Sequence, residues 1–227
     1  MLTHQHQPTN LDSILYPIYG KDFDCYYKDL GTTTVGIVYE GGVILGADCR
    51  STSGTYVANR TNDKIYPLAK NIVACKAGSA ADTQFILGTV VKYLTQFSLE
   101  YQGVIPVKVA ANLAGKITYE YKDYFSASLI IGGVDDEGQH IYSINSGSII
   151  PQKITSSGSG SFFISGFLDL NYQPNFNKEQ AINFVKTSIS LAINRDNSSG
   201  GGIRICDVTK EGFKRYEFSY NELDFQN

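Results

Sequence analysis

A glycine followed by three threonines, residues 31–34, is the segment of the sequence that best supports a nucleophile. A threonine hydroxyl attacks a carbonyl carbon only when a base takes its proton. If the chain is cut between Gly31 and Thr32, the new α-amine lies beside its own side chain, and an ordinary amine pKa of about 7.7 to 8.0 suits that task. The pattern predicts hydrolysis by an N-terminal threonine, although runs of threonine are also common in plain β-strands.

Two charged residues further along the chain are candidates to assist Thr32. Asp48 ends a predicted strand, and Lys64 lies at the start of another extended segment. A lysine close to Thr32 would lower the proton affinity of its amine and hydroxyl, and Asp48 would hold that lysine in place. Arg50 would lie on the same face as Asp48 if the strand continued. The alternative is an ordinary surface ion pair, worth about 0 to 1 kcal/mol.

Histidine-based catalysis has little support, because the chain has only three histidines. His4 and His6 lie in a polar N-terminal stretch. His140 belongs to a segment that is typical of a hairpin turn, where we expect a solvated side chain. An N-terminal threonine needs no histidine, so this shortage is compatible with hydrolysis.

Three glycine-containing segments are candidates to complete the site. Gly78 precedes Ser79, a predicted helix N-cap, and the unpaired N–H groups of a helix start suit an oxyanion. Segments 158–161 and 196–202 are polar and rich in glycine. Taken one at a time, each has a plainer interpretation as a helix entry or a flexible connector.

The composition restricts the class of protein. The 227 residues are 42% hydrophobic and 18% charged with a net charge of −3, which predicts a globular chain without the basic patch of a nucleic-acid binder. No apolar run reaches the roughly 18 residues of a membrane span. The four cysteines form no C-x-x-C pair, so we expect reduced thiols in the cytosol or nucleus rather than a zinc site or disulfides. No metal or organic cofactor is indicated.

The predicted elements favour an α+β fold. Strand pairs over about 33–48 and 64–76 precede two helices that begin near Ser79 and Pro106. A further strand pair over about 128–145 precedes a helix with a capping-box start at Asn177, and two strands over 203–218 follow. This order predicts antiparallel sheets with helices outside. Residues 1–31 differ in composition and are typical of a disordered tail or a removable propeptide.

Together these segments resemble the β subunits of the eukaryotic 20S proteasome, most closely the β1 type with caspase-like specificity. The resemblance runs from about Gly31 to the end of the chain and is carried by residues 41–50 (GGVILGADCR), 56–60, 63–64, 78–84, 158–161 and 196–201. It implies a four-layer αββα sandwich of the N-terminal nucleophile hydrolase type. It also implies a seven-membered β ring stacked on a second β ring and capped by α rings, in the cytoplasm and nucleus, with regulatory caps and polypeptide substrates as partners.

The resemblance also implies roles for individual residues. Residues 1–31 would be a propeptide that is removed autocatalytically, leaving residues 32–227 as the catalytic domain with Thr32 as nucleophile and its amine as base. By motif position, the other catalytic or supporting positions are Asp48, Lys64, Ser159, Asp196, Ser199 and, for the oxyanion hole, Gly78. Thr52 and Ala80 match positions that bind the substrate backbone as an added strand.

Lys76 is the expected determinant of specificity. It lies two residues before Gly78, on the same strand face, where the β1 type has a basic residue that is usually arginine. A positive charge there favours Asp or Glu before the cleaved bond. Lysine lacks the bidentate fork of arginine, so we expect a looser preference.

Two other functions stay open. A structural ring subunit would retain its propeptide and contribute only contacts, although this chain has both the Gly–Thr junction and the lysine. A different N-terminal nucleophile hydrolase acting on small amides is disfavoured by the loops that resemble the ring family.

Overall fold

The computed structural model describes residues 31–53 and 56–223. Its strands in chain order are β1 (Thr34–Tyr39), β2 (Gly42–Asp48), β3 (Ser51–Ser53), β4 (Tyr56–Asn59), β5 (Ile65–Ala69), β6 (Ile72–Gly78), β7 (Ala127–Asp135), β8 (Gly138–Asn145), β9 (Ser148–Gln152), β10 (Ile154–Ser157), β11 (Ile203–Thr209) and β12 (Gly212–Phe218). The helices are α1 (Ala80–Glu100), α2 (Val107–Glu120), α3 (Ser161–Asn171) and α4 (Lys178–Arg195), and a short 3₁₀ turn spans Tyr220–Glu222.

The strands form two five-stranded antiparallel sheets and one small hairpin. The first sheet has the order β10–β1–β2–β11–β12, the second has the order β5–β6–β7–β8–β9, and β3 pairs with β4. Helices α1 and α2 pack on the second sheet, whereas α4 packs on the first and α3 packs beside it. The α+β, four-layer αββα prediction is therefore confirmed.

Three layers of apolar side chains hold this sandwich together. Leu45 and Ile130 lie in the layer between the two sheets, Val185 packs between α4 and the first sheet, and Leu87 packs between α1 and the second sheet. Each of these four side chains is fully buried. Burial of such a side chain stabilises the fold by roughly 1.5 to 3 kcal/mol, so the layers fix the strand ends that carry polar groups.

Two of the predicted helix starts are confirmed in atomic detail. Ser79 caps α1, because its hydroxyl accepts the backbone N–H of Asp82. Asn177 and Gln180 exchange side-chain and backbone hydrogen bonds at 2.9 Å in both directions, which is a capping box at the start of α4. These caps satisfy N–H groups that a helix start otherwise leaves unpaired.

The structure also contains elements that the sequence did not predict. The hairpin of β3 and β4, helix α3, and strands β9 and β10 occupy stretches for which no element was predicted. The prediction of a solvated His140 was wrong: it lies within β8, is partly buried, and its Nε2 is 3.1 Å from Asp135 Oδ1. Of the predicted propeptide, only Gly31 lies within the described residues, so the rest of that prediction falls outside them.

In the described part of the chain, no helix is both long enough and apolar enough to cross a membrane. Cys49, Cys75 and Cys206 are buried free thiols. Burial raises the pKa of the Cys206 thiol to about 12, so this sulfur stays protonated and inert at neutral pH.

Candidate active site

The segment that leads into β1 is buried and is tightly surrounded by backbone atoms. Thr32 and Thr33 are buried, and the Thr32 carbonyl accepts the N–H of Gly160 at 3.1 Å. Gly158 approaches from the same loop with φ +89°, and a Cβ at this position would lie 2.1 Å from the Thr32 carbonyl oxygen. Only glycine fits both the left-handed backbone and the space, which explains why the glycine-rich loop 158–161 is needed here.

A buried ion pair lies beside this segment. Asp48 ends β2 and Lys64 immediately precedes β5, and Lys64 Nζ is 2.7 Å from Asp48 Oδ1. The Asp48 carboxylate also accepts the backbone N–H groups of Thr33, Arg50 and Gly200 at 2.9 to 3.2 Å. With four donors, this buried carboxylate is well compensated for its lost hydration.

The Lys64 ammonium lies beside the peptide bond between Gly31 and Thr32. Its Nζ donates to the Gly31 carbonyl oxygen at 3.1 Å as well as to Asp48. Burial lowers the pKa of Lys64, and the Asp48 carboxylate opposes that shift. The sequence-based alternative of a surface ion pair is therefore wrong, since both side chains are almost completely buried.

The three threonines have different environments. Thr32 Oγ1 donates to the Gly31 carbonyl oxygen at 2.7 Å, so the hydroxyl and the Lys64 ammonium converge on one oxygen atom. Thr33 Oγ1 instead contacts Ser199 Oγ at 2.8 Å, and Thr34 Oγ1 donates to the Ser157 carbonyl. Among the three, Thr32 is the residue whose hydroxyl lies beside the lysine.

A second hydrogen-bonded group lies at the Thr32 nitrogen. The Thr32 N–H donates to Ser159 Oγ at 3.2 Å, and Ser159 Oγ donates to Asp196 Oδ2 at 2.7 Å. Ser199 Oγ donates to the same carboxylate oxygen at 2.6 Å. Asp196 is the C-cap residue of α4, so the end of that helix positions the carboxylate that both serine hydroxyls contact. The arrangement can pass a proton to or from the Thr32 nitrogen through Ser159.

A small cavity opens beside Thr32. Its space for water-sized molecules is about 20 Å³, and Lys64, Lys76 and Gly78 are among its walls. Gly78 ends β6 with φ +101°, and a Cβ there would lie 2.4 Å from the Ser126 carbonyl oxygen, so this turn into α1 requires glycine. Burial lowers the pKa of Lys76, which is half-buried in the cavity wall.

The structure brings together every residue that the sequence placed in the site. All of them either line this cavity or belong to the hydrogen bonds around Gly31 and Thr32: Thr32, Asp48, Thr52, Lys64, Lys76, Gly78, Ala80, Ser159, Asp196 and Ser199. Thr52 Oγ1 accepts the Gly31 N–H at 3.0 Å. A common face for Asp48 and Arg50 was predicted only if the strand continued, and β2 ends at Asp48. The Arg50 guanidinium donates to the Asn197 carbonyl.

Other residues of the site were not singled out by the sequence. Ser51, Asn62 and Thr83 line the cavity with Lys76, and the Gly200 N–H helps to hold Asp48. A glycine run at residues 200–202 was the signal for the Gly200 contact, whereas nothing in the pattern marked Asn62. Within the described ranges, no group of three or more His, Cys, Asp or Glu side chains is arranged to hold a metal ion.

Comparison with known proteins agrees with this geometry. Residues 28–208 match the family described as "Proteasome subunit". The chain is 42% identical over 192 residues to the "Probable proteasome subunit beta type-1" of Schizosaccharomyces pombe, covering 84% of this chain and 85% of that protein. It is 42% identical to "Proteasome subunit beta type-6" of Dictyostelium discoideum, covering 86% and 92%. It is 40% identical to "Proteasome subunit beta type-1" of Saccharomyces cerevisiae, covering 86% and 91%. The chain therefore belongs to the family of β subunits of the 20S proteasome core.

Proposed function

We propose that this chain is an active threonine endopeptidase subunit, made as a precursor that cuts its own Gly31–Thr32 bond and then cleaves peptides after acidic residues. The convergence of Thr32 Oγ1 and Lys64 Nζ on the Gly31 carbonyl oxygen carries the proposal. β subunits of this family are threonine peptidases in general, and this chain has a hydroxyl, an ammonium and a hydrogen-bonded nitrogen in reach of one peptide bond.

These contacts support a route for self-processing. Thr32 Oγ1 forms a bond to the Gly31 carbonyl carbon, the C–N bond breaks, and the hydroxyl proton goes to the departing Thr32 nitrogen. The product is an ester between Gly31 and the Thr32 side chain. Water hydrolyses that ester, which releases the Gly31 carboxylate and leaves Thr32 with a free α-amine. Lys64 Nζ stabilises the negative charge that develops on the Gly31 oxygen during attack.

Peptide hydrolysis uses the same atoms with the new amine as base. The amine takes the Thr32 Oγ1 proton while that oxygen attacks the substrate carbonyl carbon, and the resulting ammonium gives the proton to the leaving nitrogen. Water then cleaves the acyl ester and regenerates Thr32. Lys64 favours the deprotonated hydroxyl, Asp48 holds Lys64, and the Gly78 N–H is the proposed oxyanion donor. Ser159, Asp196 and Ser199 support the amine and the attacking water.

Assembly supplies the setting for this activity. We infer that the chain packs with other proteasome β and α subunits in stacked seven-membered rings, in the cytoplasm and nucleus, and receives polypeptide substrates with the help of regulatory caps. A substrate would bind between Thr52 and Ala80 as an added strand. The Gly31 N–H already donates to Thr52 Oγ1, so this side chain is able to accept a backbone N–H from a residue before the cleaved bond.

N-terminal sequencing and intact-mass measurement of the assembled core particle test this proposal. We expect a mature chain that begins at Thr32. A chain that still begins at Met1 in mature particles would instead favour the structural-subunit role. Hydrolysis of small amides but not of peptides would favour the third function, a small-amide hydrolase.

Specificity for acidic residues is tested by replacing Lys76 with leucine. Loss of one partly desolvated charge-assisted hydrogen bond, worth about 1.5 to 3 kcal/mol, is expected to lower kcat/KM for peptides with Asp or Glu before the cut by roughly 10- to 100-fold. Peptides with leucine at that position should gain. Lys76→Arg is the matched control, and it should retain or sharpen the acidic preference through its bidentate fork. An unchanged cleavage profile in Lys76→Leu particles would refute this role for Lys76.

A further inference from the structure

A second and much larger cavity adjoins the candidate active site. We call it the serine groove and define it by six of its wall residues: Ser126, Ser128, Ser143, Ser156, Ser157 and Ser159. Its volume is about 750 Å³, and these residues belong to β7, β8, β10 and the adjoining loops. Gly78 lines both this groove and the small cavity that contains Lys76.

The serine groove lies on the side of Thr32 where the leaving half of a substrate must be. This argument rests on the proposed function. The acyl half of a substrate stays bonded to Thr32 Oγ1, whereas the other half departs with a proton from the Thr32 amine. The departing half must therefore lie on the amine side of the reacting carbon. The Thr32 nitrogen donates to Ser159 Oγ, and Ser159 is in the wall of the serine groove but not of the Lys76 cavity.

The chemistry of the groove wall indicates what it can bind. Eight serines line it, the six that define it together with Ser146 and Ser161, and their hydroxyls are neutral groups that both donate and accept. Three aromatic residues, Tyr124, Phe125 and Phe162, complete the wall, so polar residues are its majority. Ser128 Oγ contacts Ser157 Oγ at 2.7 Å. The two charged residues in the wall, Lys122 and Asp123, are both exposed, adjacent in sequence and opposite in sign. A large aliphatic side chain would displace water from the hydroxyls without replacing its hydrogen bonds, at a cost of about 1 to 3 kcal/mol for each unpaired group.

We propose that the serine groove binds the polypeptide segment that follows the cleaved bond and selects for short, uncharged polar side chains in that segment. The groove is thus a determinant of which acidic sites are cut, in addition to Lys76. A serine or threonine after the cut can exchange hydrogen bonds with the wall, whereas a leucine cannot.

The experiment compares substrates on assembled core particles. Two peptides share the same residues up to an acidic residue and continue with either Ser-Ser or Leu-Leu. A third substrate has the same acyl half attached to a fluorescent aminocoumarin, so it has no peptide beyond the cut. Particles that carry Thr32→Ala in this chain give the background from other subunits. We expect the Ser-Ser peptide to be cleaved with a kcat/KM at least about 10-fold above that of the Leu-Leu peptide, the equivalent of roughly 1.4 kcal/mol.

Ser143→Leu narrows the groove away from the catalytic hydrogen bonds. It is expected to reduce the Ser-Ser over Leu-Leu preference by at least about 5-fold, mainly through KM, and to leave aminocoumarin release unchanged. Ser143→Ala removes the hydroxyl without adding volume, and it gives a smaller shift in the same direction should the leucine variant fail to assemble. Ser148→Leu, on the exposed strand β9 and outside the groove, is the matched control and should change neither rate.

The results that would overturn the inference can be told apart from one another. Equal rates for the two peptides, or an equal loss of peptide and aminocoumarin cleavage in Ser143→Leu, would show that the groove does not contact the departing segment. If unmodified particles cleave none of the three substrates above background, the proposed function itself is wrong and this inference falls with it.

Discussion

Replacing Thr32 with alanine is expected to leave the peptide bond between residues 31 and 32 intact and to lower hydrolysis after acidic residues by at least about 10⁴-fold. The variant has no hydroxyl to attack either the Gly31 carbonyl or a substrate, and its nitrogen stays in a peptide bond. The mutation removes one buried hydrogen bond, from Oγ1 to the Gly31 carbonyl, so the fold and the assembly should survive. Intact mass of the purified particle and a peptide-cleavage assay measure the two effects.

Thr34→Val is the matched control for Thr32→Ala. Thr34 is another buried threonine of the same run, and its hydroxyl makes one 3.2 Å contact with the Ser157 carbonyl. This variant should be processed at Thr32 and should retain most of its activity. Cleavage of the Gly31–Thr32 position in Thr32→Ala particles, or hydrolysis after acidic residues at the rate of unmodified particles, would rule out Thr32 as the nucleophile.

Lys64→Met is expected to lower the rate of cleavage by roughly 10²- to 10⁴-fold in particles that assemble. The ammonium that lies 2.7 Å from Asp48 and 3.1 Å from the Gly31 oxygen is lost, so the hydroxyl proton is held more tightly and the developing negative charge has no partner. Asp48 keeps its three backbone N–H donors, which limits but does not remove the cost of about 3 to 5 kcal/mol for breaking a buried pair. Lys70→Met, an exposed lysine on the surface, is the control and should have full activity.

The same lysine predicts a pH dependence. Because burial lowers the pKa of Lys64 from the ordinary 10.5, the ammonium is lost as the pH rises through a value below 10.5. The rate of the unmodified enzyme should therefore fall on the alkaline side at a lower pH than an exposed lysine would give. Lys64→Met should lack that decrease in its residual activity. If the rate decreases identically at alkaline pH in unmodified and Lys64→Met particles, a group other than Lys64 causes the decrease.

Much of the fold could be predicted because local signals and tertiary packing agree. Strands β1, β2, β11 and β12 are apolar or alternating runs separated by glycine-containing turns, and α4 begins with a capping box. Helix α3 has no such signal. The N-cap of α3 is Gly160, which has no side chain to make a capping hydrogen bond. The apolar residues of α3 lie on all sides of the helix: Ile164 and Leu168 are buried, whereas Phe162 and Leu170 are more than four-fifths exposed. No helical period is visible in such a sequence.

The strands β9 and β10 were missed for other reasons. β9 is an edge strand that contains Pro151, a residue that cannot donate to a ladder and argues against a strand when it is read alone. β10 is four residues long, and only one of them, Thr155, is buried. Its strand character comes from pairing with β1, a contact between residues more than a hundred positions apart.

The residues of the candidate site could be predicted from the sequence, but the hydrogen bonds that connect them could not. The resemblance placed Asp48 and Lys64 near Thr32, yet two of the three backbone N–H groups that hold Asp48 belong to Thr33 and Gly200, which are 15 and 152 positions away in the chain. One of them, Gly200, is brought to Asp48 by the pairing of β2 with β11, in which Ile203 lies opposite Asp48. The register of two strands that are so far apart in sequence depends on the packing of the whole sandwich. A local sequence pattern cannot predict it.

The hydrogen bonds to the Asp48 carboxylate come from residues that are synthesised far apart in time. Its donors come from positions 33, 50, 64 and 200, and the Thr32 nitrogen depends on Ser159 and Asp196. A polypeptide still emerging from the ribosome has made Thr32 and Lys64 long before residue 196 exists. Under the proposed function, the complete hydrogen-bonded arrangement around Thr32 therefore forms only after residue 200 has been synthesised and has packed beside Asp48. A nascent chain that ends before residue 196 lacks part of this arrangement.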